Sequence, residues 1–304
     1  MMNMIRKMSL AVLGLLVFAS CSKDDDSVEV TPPRDRGEVQ LESEANLTAY
    51  LKTHFYNYEE FEAKEEGFDY KIVFDTISGA NADKTPLFDQ VLKKNYLYQE
   101  TNYTLYTLIA RQGSEEGVQP TFADSTFVNY KGSVVGGSKF DGSTTPLWFD
   151  LTNVVFGFAN GLKELKAGTQ FVQNEDGSFD FGNDYGIGAV FIPSGLGYFN
   201  GSSPGIRAYS DLVFTFDLFR AVKDTDHDND GVPNWKEDIN GNSFINEFDF
   251  DNTDGDNIAD FLDTDDDGDG TLTRDELDFD ENGNTIYIDS NNDGVPDYLD
   301  PDIS

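Results

Sequence analysis

Apolar residues near the start of the chain follow a helical spacing. Leu47, Tyr50, Leu51 and Phe55 recur three to four residues apart, which predicts an amphipathic helix from about residue 43 to 57 with one face docked on the rest of the protein. Further elements are predicted up to residue 120: a strand at 70–74, a second short helix at 87–94 and a longer strand at 103–110. Together these elements predict a small α/β region over residues 39–120.

From about residue 121 to 221 the pattern changes to alternating apolar strands separated by glycine-rich turns. One short helix is predicted within it, around residues 156–165. The strand at 103–110 directly precedes this region and is predicted to be an edge strand of its sheet. Such a pattern predicts a small antiparallel sheet wrapped on a single helix, an α+β arrangement.

The first 38 residues carry signals for export. Arg6 and Lys7 precede an apolar run that ends at Phe18, and Ala19-Ser20-Cys21 follows. The run is too short to span a membrane as a mature helix, so residues 1–20 are predicted to be a signal peptide. The ending resembles a bacterial lipoprotein site, which implies lipidation of Cys21 and a linker over 21–38 that holds the folded part off the outer membrane, on its periplasmic or cell-surface side. An ordinary secreted protein is the alternative.

Charge is concentrated at the other end of the chain. The net charge is −36, and from Asp224 to Ser304 there are 23 Asp and 4 Glu against one Lys and one Arg. This balance argues against nucleic acid as a partner, because binding to phosphates depends on basic residues, and it favours a metal or a polycation. The single cysteine cannot form an internal disulfide, and two histidines cannot build a zinc site without other ligands.

Within residues 224–304 the acidic residues repeat. Aspartate and asparagine alternate, a glycine follows at position 6, and a carboxylate closes the frame at position 12, as in a calcium-binding loop. Weaker copies begin at Asp238 and Asn252, and another begins at Asp278 or Asp280. The predicted metal ligands of the three good copies are Asp226, Asp228, Asp230 and Glu237; Asp265, Asp267, Asp269 and Glu276; and Asp289, Asn291, Asp293, Asp297 and Asp300.

Successive copies start 11 to 14 residues apart, which leaves no room for paired EF-hand helices. The segment instead resembles thrombospondin type 3 repeats, which implies an irregular chain ordered around a row of calcium ions. Apolar residues are too few here for an independent core, so metal is expected to supply much of the folding energy. A solvating acidic tail is the alternative, and the calcium stoichiometry lies between three and six.

Four short segments in the middle of the chain follow one another in an informative order. They are Thr126–Gly132, Lys139–Gly142, Ile192–Tyr198 and Leu212–Leu218. In order and nearly in spacing they resemble the FKBP family of peptidyl-prolyl cis-trans isomerases (rotamases), over about 95 residues. The resemblance implies an antiparallel half-barrel wrapped on one short helix, over residues 121–221. It also implies catalysis without a cofactor, acting on proline-containing unfolded or exported proteins.

The family's pocket residues transfer to ten positions of this chain. The resemblance gives Asp141 and Tyr198 the polar roles that orient the substrate, and it assigns the remaining positions to the walls, floor and flap. Three departures from the family pattern are Leu147, Phe158 and Arg207, and there is also an extra polar excursion between Gly168 and Ala189. The ten positions are Tyr130, Phe140, Asp141, Leu147, Val154, Val155, Phe158, Tyr198, Ile206 and Phe214.

Two other functions remain open at this point. The FKBP-like region could hold peptides without catalysis, as a chaperone or a surface adhesion module. Alternatively, the calcium repeat could be the functional part and the FKBP-like region a spacer. Aromatic residues before position 120, such as Phe55, Tyr56 and Tyr106, belong either to a client-binding or dimerisation surface or to the core.

Overall fold

The centre of the structure is a six-stranded antiparallel sheet with the strand order β3-β4-β9-β10-β5-β6. The structure is a computed structural model that describes residues 32–246 and 251–304. The predicted signal peptide and Cys21 lie outside these residues, and so does Asp249, the position-12 residue of the weaker copy that begins at Asp238. The strands are β3 (Val91–Tyr98), β4 (Thr101–Arg111), β5 (Ser125–Val134), β6 (Lys139–Asp150), β9 (Gly186–Ile192) and β10 (Leu212–Val222).

Alternating side chains give this sheet an apolar core on each face. In β10, Leu212 and Phe214 enter one core, whereas Val213 between them enters the other. Every residue of β9 is buried, as expected for a central strand covered on both sides. The sheet therefore needs a covering layer on each face.

Helix α3 (Phe156–Leu162) covers the first face. Two glycines let its backbone lie directly on β9: a Cβ at Gly157 would come within 2.4 Å of Ile192, and one at Gly161 within 2.4 Å of Val190. Larger residues at these positions would push the helix away from the sheet. The predicted helix is confirmed, although it ends three residues earlier than expected, at Leu162.

Helix α1 (Arg36–Thr53) covers the opposite face with Leu47 and Leu51. It begins earlier than predicted because the Asp35 side chain accepts a hydrogen bond from the Glu38 N–H at 2.9 Å and caps the helix. It also ends earlier, since the chain turns into β1 (His54–Tyr56), which pairs with β2 (Phe74–Thr76); a short helix, α2 (Tyr58–Ala63), lies between them. The packing confirms the core interpretation for the aromatic residues Phe55, Tyr56, Phe61, Tyr103 and Tyr106, which are all buried.

Two predicted elements in this region are wrong. The predicted strand at 70–74 starts only at Phe74, since Tyr70 has a φ of 55° and lies outside the extended region. The predicted helix at 87–94 is a single turn of 3₁₀ helix, Leu87–Asp89, followed by β3. Pairing of β3 with β4 supplies the backbone hydrogen bonds that a helix would otherwise have made internally.

The longer predicted strand, 103–110, is confirmed as β4, but it lies inside the sheet and β3 takes the edge. Because β3 and β4 join the same sheet as β5, β6, β9 and β10, the boundary predicted at residue 120 does not coincide with a boundary of the sheet. Residues Arg34–Ser304 form one compact unit. No helix among the described residues is long and apolar enough to cross a membrane.

The polar excursion after Gly168 folds into a hairpin, β7 (Phe171–Gln173) with β8 (Phe179–Phe181). Phe179 and Phe181 pack on Phe127, with ring centroids 5.8 and 6.0 Å apart. The insertion therefore extends the apolar packing at β5.

The acidic segment is made of tight loops joined by single turns of 3₁₀ helix, with one small hairpin of β11 (Leu277–Phe279) and β12 (Thr285–Tyr287). Four loops share one closing contact, in which the side chain at position 9 accepts the backbone N–H of position 2. The distances are 3.1 Å from His227 to Asn234, 2.7 Å from Thr253 to Asp260, 3.2 Å from Asp266 to Thr273 and 2.7 Å from Ser290 to Asp297. The copies that repeat in sequence therefore also repeat in structure. The weaker copy at Asn252 has the same closing contact.

Candidate functional site

A cavity of about 380 Å³ opens between α3, the ends of β5 and β6, and the segment that follows β9. Its lining is mostly aromatic, with a few polar groups at the rim, as is usual for a ligand site. The lining residues are Tyr98, Tyr130, Asp141, Phe149, Asn153, Val154, Val155, Phe156, Phe158, Leu196, Gly197, Tyr198, Phe214 and Phe244.

Seven of the ten predicted pocket residues line this cavity. They come from five separate parts of the chain, which the sheet and α3 bring together. The seven are Tyr130, Asp141, Val154, Val155, Phe158, Tyr198 and Phe214.

The other three predicted residues do not line the cavity. Phe140 packs edge-on against Phe214 at 5.5 Å and supports that wall from behind, and Ile206 is buried in the core beneath it. Leu147 was placed in the pocket by the resemblance, and the structure corrects this: it lies on β6, an edge strand, with 45% of its surface exposed. Phe149, two residues further along β6, lines the cavity instead.

Phe158 forms the floor of the cavity. Its ring lies 5.1 Å from Phe214, 5.5 Å from Phe149 and 6.2 Å from Tyr130, and the contacts with Phe214 and Tyr130 are edge-to-face. Such pairs fix ring orientation beyond what apolar burial achieves. The floor is therefore rigid and apolar, suited to a compact apolar ring of a ligand.

The polar end of the cavity is built from Tyr130 and Asp141. The Tyr130 hydroxyl donates a hydrogen bond to the Asp141 carboxylate at 2.7 Å, and the backbone N–H of Gly142 donates to the other oxygen at 2.7 Å. Partial burial, followed by the bond to Asp141, raises the pKa of Tyr130 to about 12. Burial likewise raises the pKa of Tyr198. The Tyr130 proton is engaged in the bond to Asp141, whereas the Tyr198 hydroxyl keeps its proton at neutral pH and remains available as a donor.

Three aromatic residues of the lining were missed by sequence reasoning: Tyr98, Phe156 and Phe244. Phe244 belongs to the acidic repeat, and its ring lies 5.5 Å from Phe156 and 5.7 Å from Tyr98. The only sequence signal for it is an aromatic residue at position 7 of a calcium-type loop, a place where the other copies carry Val232, Ile258, Thr271 and Val295.

The acidic repeat is fastened to the sheet domain by specific polar contacts. The Asn160 amide of α3 donates to the Ser243 carbonyl at 2.9 Å, directly before Phe244. His227 Nε2 lies 2.7 Å from the Asp150 carboxylate at the end of β6. These contacts hold the Phe244 ring against the cavity.

In two loops of the repeat, the aspartates at positions 3 and 5 accept a backbone N–H with one carboxylate oxygen, and their other oxygen is buried. In the first loop, Asp228 accepts the Asp230 N–H at 3.2 Å, and Asp230 accepts the Val232 N–H at 2.7 Å. The remaining oxygen of each is buried without a hydrogen-bond partner. Asp267 and Asp269 repeat this arrangement in the loop that starts at Asp265.

In two of the three good copies the predicted ligands at positions 1, 3 and 5 lie together, whereas Glu237, the predicted position-12 ligand of the first, is grouped with Asp230 and Asp266. Oxygens of Asp226, Asp228 and Asp230 lie within 4.8 Å of one another, as do those of Asp265, Asp267 and Asp269. Position 6 has a positive φ in all three good copies, 101° at Gly231, 98° at Gly270 and 99° at Gly294, a conformation that favours glycine. Buried carboxylates with unpartnered oxygens fit a hard divalent cation, which prefers oxygen ligands.

One predicted ligand has a different role. The Asp297 carboxylate accepts the Ser290 N–H at 2.7 Å and the Ser290 hydroxyl at 2.6 Å, so it closes its own loop as Asp260 does at Thr253. In the same copy the Asn291 amide donates to Asp300 at 2.8 Å and to Asp293 at 3.1 Å. Glu276 keeps one buried oxygen without a partner beside the second good loop.

Comparison with known proteins finds relatives for part of the chain. An FKBP-type peptidyl-prolyl cis-trans isomerase FkpA of Escherichia coli K12 is 34% identical over 106 residues, which is 34% of this chain and 33% of the relative. A probable FkpA of Neisseria meningitidis is 31% identical over 148 residues, covering 46% of each chain. The chain thus spans a third to a half of the length of these relatives. Sequence similarity to FKBP-type isomerases is in agreement with the motifs quoted above.

Two further comparisons concern the fold and the acidic segment. Among solved structures, FkpA from Escherichia coli aligns at 24% identity with a TM-score of 0.34, over 60% of this chain and 62% of that one. A peptidyl-prolyl cis-trans isomerase of Pseudomonas syringae aligns at 21% identity with a TM-score of 0.33, over 59% and 95%. The family described as BamM C-terminal matches residues 227–291.

Proposed function

We propose that this protein is a peptidyl-prolyl cis-trans isomerase whose active site is the aromatic cavity on α3. The observation that carries the proposal is the meeting of the Tyr130–Asp141 pair and Tyr198 with the rings of Phe158 and Phe214 around one cavity. The sequence similarity to FkpA proteins supports it independently.

The reaction needs no nucleophile or base. Rotation about an X-Pro bond has a barrier of about 18–20 kcal/mol because the amide loses its conjugation on twisting. A site that binds the twisted amide more tightly than the planar one lowers that barrier. The apolar floor at Phe158 accepts the proline ring and favours the less polar, twisted amide.

The polar end of the cavity orients the substrate. The Tyr198 hydroxyl can donate to a carbonyl next to the proline, and its raised pKa keeps that proton in place. Asp141, fixed by Tyr130 and the Gly142 N–H, presents a carboxylate that cannot rotate away. Fixed groups of this kind need no reorganisation as the amide twists, so they act on the transition state at little cost.

The test is isomerisation of a short peptide with a single X-Pro bond. The wild-type chain is compared with a Phe158→Leu, Tyr198→Phe variant, which keeps the floor apolar but removes the rings' edge contacts and the donor. We expect catalysis by the wild-type and a loss of at least ten-fold, equivalent to about 1.4 kcal/mol, in the variant. A folded wild-type chain with no catalysis would instead favour a non-enzymatic peptide-holding protein, and binding of unfolded proteins by that chain would select it.

We also propose that the acidic repeat binds calcium as a structural ion. The residues that would hold it are the grouped carboxylates of the first loop and those of the loop starting at Asp265, where unpartnered oxygens are buried. Bound calcium would supply the positive charge that these groups lack and would hold each loop closed. It takes no part in the proposed isomerisation.

For location, we propose an envelope lipoprotein anchored through Cys21, with proline-containing exported proteins as its clients. Support comes from the leader sequence and from the FKBP-type relatives. Labelling with a radioactive fatty acid tests the anchor: incorporation that disappears in Cys21→Ser supports it, and equal labelling of both proteins contradicts it.

A further inference from the structure

Three carboxylates from two different loops meet inside the acidic repeat. Asp230 and Glu237 belong to the first loop, and Asp266 follows the first ligand of the loop that starts at Asp265. One oxygen from each lies within 4.8 Å of the others. The three residues are 2%, 1% and 1% exposed. This group differs from the loop-centred groups because it joins parts of the chain that are distant in sequence.

The side chains in this group lack partners. Both oxygens of Glu237, both of Asp266 and one of Asp230 are buried without a hydrogen bond. None of the ion pairs found in the described part of the chain includes them. Burying a carboxylate without hydrogen bonds or a counter-charge is costly, and three in contact add mutual repulsion. A cation at their centre would remove both costs.

Asp266 is not explained by the loop pattern. It occupies position 2, where the copies that begin at Asp226, Asp238, Asn252 and Asp289 carry His227, Ile239, Thr253 and Ser290, none of which is acidic. Its backbone N–H is held by the Thr273 hydroxyl at 3.2 Å, as in the other loops. The carboxylate is therefore an addition to the loop, and it lies beside Asp230 and Glu237 rather than at the centre of its own loop.

The first loop is seated on the later part of the repeat, which makes a shared ion geometrically possible. Val232 is buried with Leu277 and Tyr298, and the Thr285 hydroxyl donates to the Gly231 carbonyl at 3.3 Å. Asp230 belongs both to this group and to the group of Asp226 and Asp228. It is thus placed to bridge two neighbouring cations.

We propose that a divalent cation, calcium by the chemistry of its all-oxygen ligands, binds between the two loops at Asp230, Glu237 and Asp266. It fastens the first loop to the one that starts at Asp265 and is additional to the ions at the loop centres. The inference extends the calcium proposal above and does not depend on isomerase activity.

The test follows calcium binding at the first loop through Trp235, which lies between Asp230 and Glu237. The chain has two tryptophans, so Trp148→Phe in the full-length background leaves Trp235 as the sole reporter. Asp266→Asn is compared with Asp275→Asn, a matched change at a side chain that is 64% exposed in the same loop. We expect Asp266→Asn to raise the half-saturating calcium concentration by about ten-fold or more, and Asp275→Asn to leave it unchanged.

Equilibrium dialysis against calcium gives a second readout, with one ion fewer per chain expected for Asp266→Asn. Equal titrations and equal stoichiometry in the two variants would overturn the proposal. If Asp266→Asn does not fold, judged by circular dichroism, Glu237→Gln takes its place with the same expectations. Absence of calcium binding to the wild-type chain would overturn the structural-calcium proposal as well and leave the isomerase proposal standing.

Discussion

Tyr198 and Leu147 are a natural pair for testing the site at the scale of single residues. Both were assigned to the pocket from the sequence, and they are 41% and 45% exposed, but only Tyr198 lines the cavity. We expect Tyr198→Ala to lower kcat/KM about ten-fold or more, because a hydrogen bond to the substrate is lost. Leu147→Ala should stay within about two-fold, since it touches no part of the cavity. Equal losses in a peptide isomerisation assay would contradict this assignment.

The pH dependence of catalysis follows from the same residues. Tyr130 has a pKa raised to about 12, so its protonated form is favoured in the folded protein. The contribution of protonated Tyr130 to the stability of the folded protein is complete below the ordinary tyrosine pKa. It is lost only as pH rises through the raised value. With calcium held in excess, kcat/KM should therefore be flat between about pH 6 and 9. A bell-shaped profile in that range would indicate a titrating catalytic group that the proposed mechanism does not contain.

Sequence reasoning found the residues at the cavity that follow recognisable motifs. Tyr130, Asp141 and Tyr198 lie within segments that resemble the FKBP family, so their places in the pocket could be transferred from that family. Leu147 was misplaced because it lies two residues from Phe149 on a regularly paired part of β6, so both share one face of the strand, and alternation alone cannot tell which of them reaches the cavity. Tyr98 and Phe244 carry no motif, and only the packing of distant elements places them at the cavity.

At the scale of elements, the loop carrying Phe244 is the part of the repeat nearest to the proposed chemistry. We expect Phe244→Ala to lower kcat/KM several-fold, since it opens one wall of the cavity and removes a ring that packs on both Phe156 and Tyr98. Phe279→Ala is the control, because Phe279 is also in the repeat but is 54% exposed and lines no part of the cavity. An unchanged rate for a folded Phe244→Ala protein would show that the wall is dispensable.

The elements themselves were predictable where a segment has one dominant periodicity. The strand at β4 and the helix α3 were found for that reason. At residues 87–94, by contrast, helix and strand are both compatible with the local sequence, and the choice is made by pairing with β4. The left-handed backbone at Tyr70 has no sequence signal.

At the scale of the whole molecule, calcium should set stability. Each site occupied in the folded chain alone adds about 2.7 kcal/mol when calcium is 100-fold above its Kd, so several sites raise the melting temperature by many degrees. The measurement is thermal unfolding in calcium and in chelator at equal ionic strength, with sodium chloride as the control. The same melting temperature in both would show that the carboxylates do not hold a structural ion.

The presence of the repeat could be predicted from the spacing of its acidic residues, but its attachment to the sheet through Asn160 and Asp150 could not.

The position of Phe244 also constrains how this protein can change over evolution. Four copies close their loops through a contact of their own, so a copy is a unit that could be inserted or deleted before Phe244. Such a change would carry the ring away from Tyr98 and Phe156 and replace it with a residue of another copy, such as Ile258 or Thr271. The number of copies between Ala221 and the cavity is then fixed by the cavity, and the later copies are held in place by the packing of Leu277 and Tyr298 on Val232. Insertion or deletion of a whole copy should accordingly be rare among descendants of this chain.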